Sequence, residues 1–140
     1  MAIDNIRVGP IRNKDIPFLA RSCLEKYGAT SFPVDLLHIT RGMGVKVIKD
    51  SDVHDLIPGE YGKTYHEPIS GQSIIIYDDT LSLEERRFTV AHEIGHVYMK
   101  HWEEHARFMA YIEELERKHG LHVEKQADLF AKHLLKGVNV

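Results

Sequence analysis

Little in this sequence invites a membrane, an oxidising compartment or a nucleic acid. Cys23 is the only cysteine among 140 residues, so no internal disulfide can form and a reducing compartment is expected. No apolar run approaches the roughly 20 residues needed to span a bilayer. The opening Met1-Ala2-Ile3-Asp4-Asn5 lacks the apolar stretch of a signal peptide. Together these features predict a cytoplasmic protein with no membrane partner. The net charge is only -3, with basic and acidic residues intermixed, so the basic footprint of a direct nucleic-acid binder is missing as well. Repeats and low-complexity tracts are absent. The length suits one domain, 1–140, with a single core.

What the chain has in excess is histidine, ten in all, which directs attention to metal chemistry. The elements that would carry such a site can be read coarsely. A first helix is predicted from about Asp15 to Tyr27, with Asp15 as cap, Pro17 in the first turn and Gly28 as stop. A short helix follows Ser31-Phe32-Pro33 and ends near Arg41-Gly42. Val45-Lys46-Val47-Ile48 reads as a strand, residues 50–62 as a loop, and Lys63 to His66 and Ser73 to Tyr77 as two further strands. Ser82 and Glu85 form a capping box that should start a helix running to about Lys100. An amphipathic helix is expected from about Glu103 to His119, ended by Gly120, and a last one from about Val123 to Lys136, ended by Gly137. Strands precede most helices, so the expected class is α+β: a small antiparallel sheet of about three strands against a helical core with the histidine-bearing helix at its centre.

That helix carries His92-Glu93-Ile94-Gly95-His96. Residues four apart share a helix face, so His92 and His96 present two imidazoles to one side of an ion such as zinc. Glu93 projects about 100° around the helix, which makes it a poor third ligand but a suitable base toward a water that zinc activates. The motif can arise by chance in a histidine-rich chain, and a helix with incidental histidines is the plain alternative. The last helix adds weight. Glu124 and Asp128 are one turn apart on the side that also bears Ala127, Ala131, Leu134 and Leu135, whereas Lys125, Lys132 and Lys136 mark the solvent side. Carboxylates on an apolar side need partners. Glu124 as third metal ligand, and Asp128 as acceptor from a ligand histidine, would supply them; a pair of rim salt bridges is the alternative. Gly95 suggests a close backbone approach in mid-helix.

Three stretches in order resemble the ImmA/IrrE-type zinc metallopeptidases: Phe32-Pro33-Val34-Asp35 leading to Gly44-Val45-Lys46-Val47-Ile48; Arg87-Phe88-Thr89-Val90-Ala91-His92-Glu93-Ile94-Gly95-His96; and Glu124-Lys125-Gln126-Ala127-Asp128-Leu129-Phe130-Ala131 followed by Leu134-Leu135. The resemblance implies zinc as cofactor on His92, His96 and Glu124, with Glu93 as general base. It also implies a protein substrate, a helix-turn-helix repressor of a phage, mobile element or stress response. The chain departs from the family in having Lys136-Gly137 where methionine and proline often follow, and in leaving no room for an added DNA-binding or sensor domain.

Two rivals stand beside the peptidase: a stoichiometric anti-repressor whose metal is structural or vestigial, and a scaffold without metal. Glu93 favours the enzyme, since a structural zinc site has no use for a base. His101 and His105 read as solvent-facing rather than as a second metal pair, and Cys23 as core. Candidates for stabilising an oxyanion are Tyr77, Tyr98, His101, His105, Tyr111 and His122, with no choice among them. Glu113, Glu114 and Glu116 read as a solvated face. The substrate is expected to lie along Ser73 to Tyr77, if that strand is an edge.

Overall fold

A computed structural model describes residues 11–67, 69–101 and 113–137, with side chains throughout except over 113–121. The elements in chain order are α1 (Ile16–Lys26), α2 (Leu36–Met43), β1 (Lys46–Lys49), α3 (Asp50–Val53), β2 (Gly62–His66), β3 (Ser73–Tyr77), α4 (Leu83–Tyr98) and α5 (Glu113–Lys136). The class is α+β. No helix among the described residues is long and apolar enough to cross a membrane.

Local chemistry explains where most of these elements begin and end. Asp35 caps α2, its side chain accepting from the His38 amide at 3.0 Å, and Gly44 closes it in the left-handed region at φ 73°. The capping box of α4 is complete, with Ser82 Oγ accepting from the Glu85 amide and Glu85 from the Ser82 amide. Asp15 stands at the head of α1 without capping it through its side chain, which pairs instead with Arg12 at 3.1 Å. The expected loop at 50–62 contains the short helix α3.

The sheet has the order β1-β3-β2. It is mixed where an all-antiparallel sheet was expected: β2 pairs antiparallel with β3, but β1 runs parallel to it, Val47 opposite Ile75. The chain between β1 and β3 places β2 on the far side of β3 before returning, which reverses the relative direction of the outer pair. β3 is therefore the central strand, paired on both sides, and cannot take the substrate segment expected along it. Its Ile74-Ile75-Ile76 run, apolar on both faces, fits that covered position. The edge beside α4 belongs to β2.

Helix α4 packs on β2 and β3 on one side and on α5 on the other, and α5 in turn packs on α1. Val90, Ala91 and Ile94 of α4 and Ala127, Phe130, Ala131 and Leu134 of α5 are buried with Ile16, Leu24 and Cys23. Burial pushes the Cys23 thiol up to about 12, so it holds its proton as a core residue. Gly120 does not stop a helix: α5 is continuous through it, because the packed length of the helix outweighs the modest propensity cost of one glycine. The earlier part of the helix expected from Glu103, with His105 and Tyr111, lies outside the described residues, as do the N-terminal segment and the side chains of Glu113, Glu114 and Glu116.

Gly95 lies where α4 packs directly against Phe130 of α5. A Cβ built there would meet the Phe130 ring at 3.0 Å and its Cβ at 3.3 Å. Phe130 is fully buried and has nowhere to move. Gly95→Ala should thus lower stability: a helix-propensity gain of about 1 kcal/mol is outweighed by overpacking of about 1–3 kcal/mol. Chemical denaturation would show it, and Gly95→Ala combined with Phe130→Leu should lose less than the sum of the two single changes.

Candidate metal centre and active site

The four-residue spacing on α4 brings His92 Nε2 and His96 Nε2 to 3.1 Å from each other. Glu124 reaches across from α5, with Oε1 2.9 Å from His92 Nε2 and Oε2 2.9 Å from His96 Nε2. Three donor atoms from two helices thus face a common point. Zinc held at 2.0–2.1 Å in tetrahedral geometry sets its ligand atoms about 3.3 Å apart, so the cluster is close to the size a metal of that class needs. Glu93 joins the same group, since one ligand atom each from His92, Glu93 and His96 lie within 4.8 Å of one another.

Each imidazole is braced from its other nitrogen. Asp128 Oδ1 lies 2.7 Å from His92 Nδ1. A carboxylate accepts here, so Nδ1 donates, which would leave Nε2, the nitrogen facing the cluster, to ligate a metal. His96 Nδ1 meets His101 Nδ1 at 2.8 Å. Contrary to the sequence expectation, His101 is not solvent-facing. It is 4% exposed, packed between α4 and α5.

The two α5 carboxylates are less buried than their apolar neighbours suggested. Three residues back from Ala127 is about 60° around the helix, so Glu124 and its partner Asp128 flank the apolar stripe, with side chains 58% and 53% exposed. Lys125, Lys132 and Lys136 are exposed, as expected. The hydrogen bonds from His92 and His96 hold Glu124 well below the usual carboxylate range. Burial alone would lower the His92 pKa; the hydrogen bond to Glu124 and the charges of Glu93, Glu124 and Asp128 reverse this, and the net shift is upward.

Glu93 is buried at the floor of a cleft of about 800 Å³, whose wall is the β2 edge. The Thr64 hydroxyl donates to Glu93 Oε1 at 2.6 Å, and Oε2 lies 3.8 Å from His92 Nε2. Burial raises the Glu93 pKa, and the opposing pull of His96 and of the Thr64 hydrogen bond does not cancel it. Room for the Glu93 stem comes from Gly62, where an added Cβ would meet Thr89 Cγ2 at 2.6 Å and Glu93 Cγ at 3.4 Å.

Sequence reasoning missed Thr64, Gly62 and Gln126. The first two come from a strand whose register could not be read in advance. Gln126 left a signal: with Val123, Ala127, Phe130 and Leu134 it occupies the buried stripe of α5, where a polar residue is out of place. Of the oxyanion candidates, the Tyr98 hydroxyl is taken by Ser22 at 3.0 Å, and neither it nor Tyr77 nor His122 lines the cleft. His101 does line it, with both ring nitrogens engaged.

Because Thr64 is the described hydrogen-bond donor to a buried carboxylate, Thr64→Val should destabilise the fold by about 1–3 kcal/mol. In denaturant titrations the loss should shrink markedly in a Glu93→Gln background, where no charge is left to satisfy.

No curated protein matches the chain. The family model for the M78 peptidases, described as the IrrE N-terminal-like domain, matches residues 41–135. That span runs from the end of α2 to the last turn of α5 and takes in every residue of the cluster. The chain belongs to the M78 peptidase family, the IrrE N-terminal-like domains.

Proposed function

We propose that this protein is a zinc-dependent endopeptidase that cleaves a helix-turn-helix transcriptional repressor in the cytoplasm. His92, His96 and Glu124 are the zinc ligands, Asp128 orients His92, and Glu93 is the general base. The observation that carries the proposal is the convergence of three donor atoms with a fourth, basic group beside them, at the bottom of a cleft open to a chain. The repressor as substrate follows from the resemblance of the three sequence stretches and from nothing in the cleft itself.

Zinc, when bound, supplies Lewis-acid polarisation and makes a water acidic enough to be deprotonated near neutrality. The residues do the rest. Glu93 Oε1 is held by Thr64, so Oε2 is the oxygen that takes the proton. The water oxygen adds to the peptide carbonyl carbon. The proton is then passed by Glu93 to the amide nitrogen as the carbon–nitrogen bond breaks. The cleft wall is the outer edge of β2, which has no strand partner on that side among the described residues. An extended substrate segment laid along it would gain main-chain hydrogen bonds while its scissile bond faces Glu93.

Glu93→Gln keeps the size and hydrogen bonding of the side chain and removes its basic oxygen. The variant should retain zinc and lose about 10²–10⁴-fold in cleavage of a co-expressed repressor. Asp128→Ala should instead weaken zinc binding by about 10–100-fold. Zinc content and cleavage measured side by side separate the two effects. Cleavage at the wild-type rate by Glu93→Gln would remove Glu93 from the mechanism. Derepression without cleavage would favour an anti-repressor that acts by binding alone.

A further inference from the structure

Gln126 lies in the apolar stripe of α5 and is 1% exposed. A buried amide this completely enclosed must satisfy both ends. Its Nε2 is 2.7 Å from the Ile11 carbonyl oxygen and 3.2 Å from Asn13 Oδ1; its Oε1 is 3.0 Å from His101 Nε2. The orientation of the amide is set by chemistry. A main-chain carbonyl has no proton to give, so only the NH₂ end can face Ile11, and the oxygen is left facing His101.

Proton positions then follow link by link. The amide oxygen only accepts, so His101 Nε2 carries a proton. A neutral imidazole has one N–H, so His101 Nδ1 is an acceptor. It lies 2.8 Å from His96 Nδ1, which must therefore donate. A metal on His96 Nε2, the atom 3.1 Å from His92 Nε2 and 2.9 Å from Glu124 Oε2, would require the same Nδ1–H form. We infer that His101 and Gln126 are positioning residues: they form a neutral relay from the Ile11 carbonyl that locks His96 in its Nδ1–H form and presents its Nε2 lone pair to the metal. The inference rests on the ligand role proposed above for His96.

The relay explains an asymmetry in the site. His92 is oriented by a carboxylate that is 53% exposed and keeps its hydration. His96 is braced at a position enclosed by α4, α5 and the segment before α1. A carboxylate there would have to be stripped of water, at a cost of several kcal/mol. An amide and a second imidazole fix the same tautomer without burying a charge. They also tie the ligand to Ile11 and Asn13, so that the segment entering α1 supports the metal centre from behind.

Imidazole nitrogen spectra of the zinc-loaded protein test this. In long-range proton–nitrogen-15 correlation spectra of the zinc-loaded wild-type chain near neutral pH, His101 should show its proton on Nε2 and an unprotonated Nδ1 toward His96. A His101 proton on Nδ1, or an even mixture of its two forms, would overturn the inference. Zinc affinity, read by competition with a chromophoric chelator, is the second measurement. His101→Phe removes both links and should weaken zinc binding by about 10–100-fold. His101→Gln can still accept from His96 through its oxygen and donate to Gln126 through its nitrogen, so it should recover most of the loss. A folded His101→Phe variant that binds zinc as tightly as wild type would also overturn the relay. If His101→Phe does not fold, the wild-type spectra still decide. Zinc bound by wild type together with the wrong His101 tautomer refutes the relay and leaves the metal assignment standing. No zinc bound by wild type at all refutes the metal assignment and the relay with it.

Discussion

The contact of Gly95 against Phe130 sets how near α4 and α5 can come, and the site depends on that distance. The glycine sits between His92 and His96 on α4, and the phenylalanine follows Asp128 by two residues on α5. With a side chain at 95, Phe130 and the stretch of α5 that carries it would have to give by a few tenths of an ångström, next to the turn from which Glu124 reaches both imidazoles at 2.9 Å. The same approach brings Asp128 to His92 and Gln126 to His101. The missing Cβ therefore permits four polar contacts from three residues of α5, each of which would fail with a shift of an ångström. The propensity lost by a mid-helix glycine, about 1 kcal/mol, is small beside the donor geometry it permits.

Much of this could be read before any coordinates, because it depends on short-range periodicity. The spacing of His92 and His96, the turn between Glu124 and Asp128, the capping box at Ser82 and the glycine at 95 are all statements about one helix at a time. Their meaning does not change with tertiary context. The pairing of the two helices was also legible, because carboxylates beside an apolar stripe needed partners and histidines were the partners available. The strand segments were found, although not their order. Ile74-Ile75-Ile76 could be recognised as apolar on both faces, but only the path of the intervening chain decides that β2 lies outside β3 and that β1 runs parallel to it.

The residues that escaped notice share a cause. Thr64 and Gly62 matter through the register of β2 against β3 and through the packing of α4 on that strand. Register depends on which strand lies opposite as well as on the pattern within one strand, so a single segment does not reveal it. His101 was misplaced because it follows the end of α4, where a few degrees of backbone rotation decide between solvent and core. Lys100, just before it, takes a left-handed conformation at φ 54°, which turns the chain back toward α5 and carries His101 inward. No periodicity argument reaches past such a turn. Gln126 could have been flagged as a polar residue in a buried stripe, but its role needs a partner that is 115 residues away in the sequence.

These placements give the sheet a part in the chemistry beyond scaffolding. β2 is the edge strand that walls the cleft, and it is also the strand whose Thr64 hydroxyl fixes one oxygen of Glu93. Gly62, two residues earlier on the same face, leaves the space that the Glu93 stem occupies. A segment bound along this edge and the base that would act on it are therefore referenced to one strand. Displacing β2 by even a fraction of its spacing from β3 would move both together. Positioning that depends on a single rigid element is less sensitive to loop motion than positioning shared among several. On the opposite side of α4, the histidines are referenced to α5 and to the segment before α1. The catalytic helix is thus clamped between two frames, one that holds the base against the cleft and one that holds the ligands in their tautomers. The helix itself, through the adjacency of His92 and Glu93, joins the two.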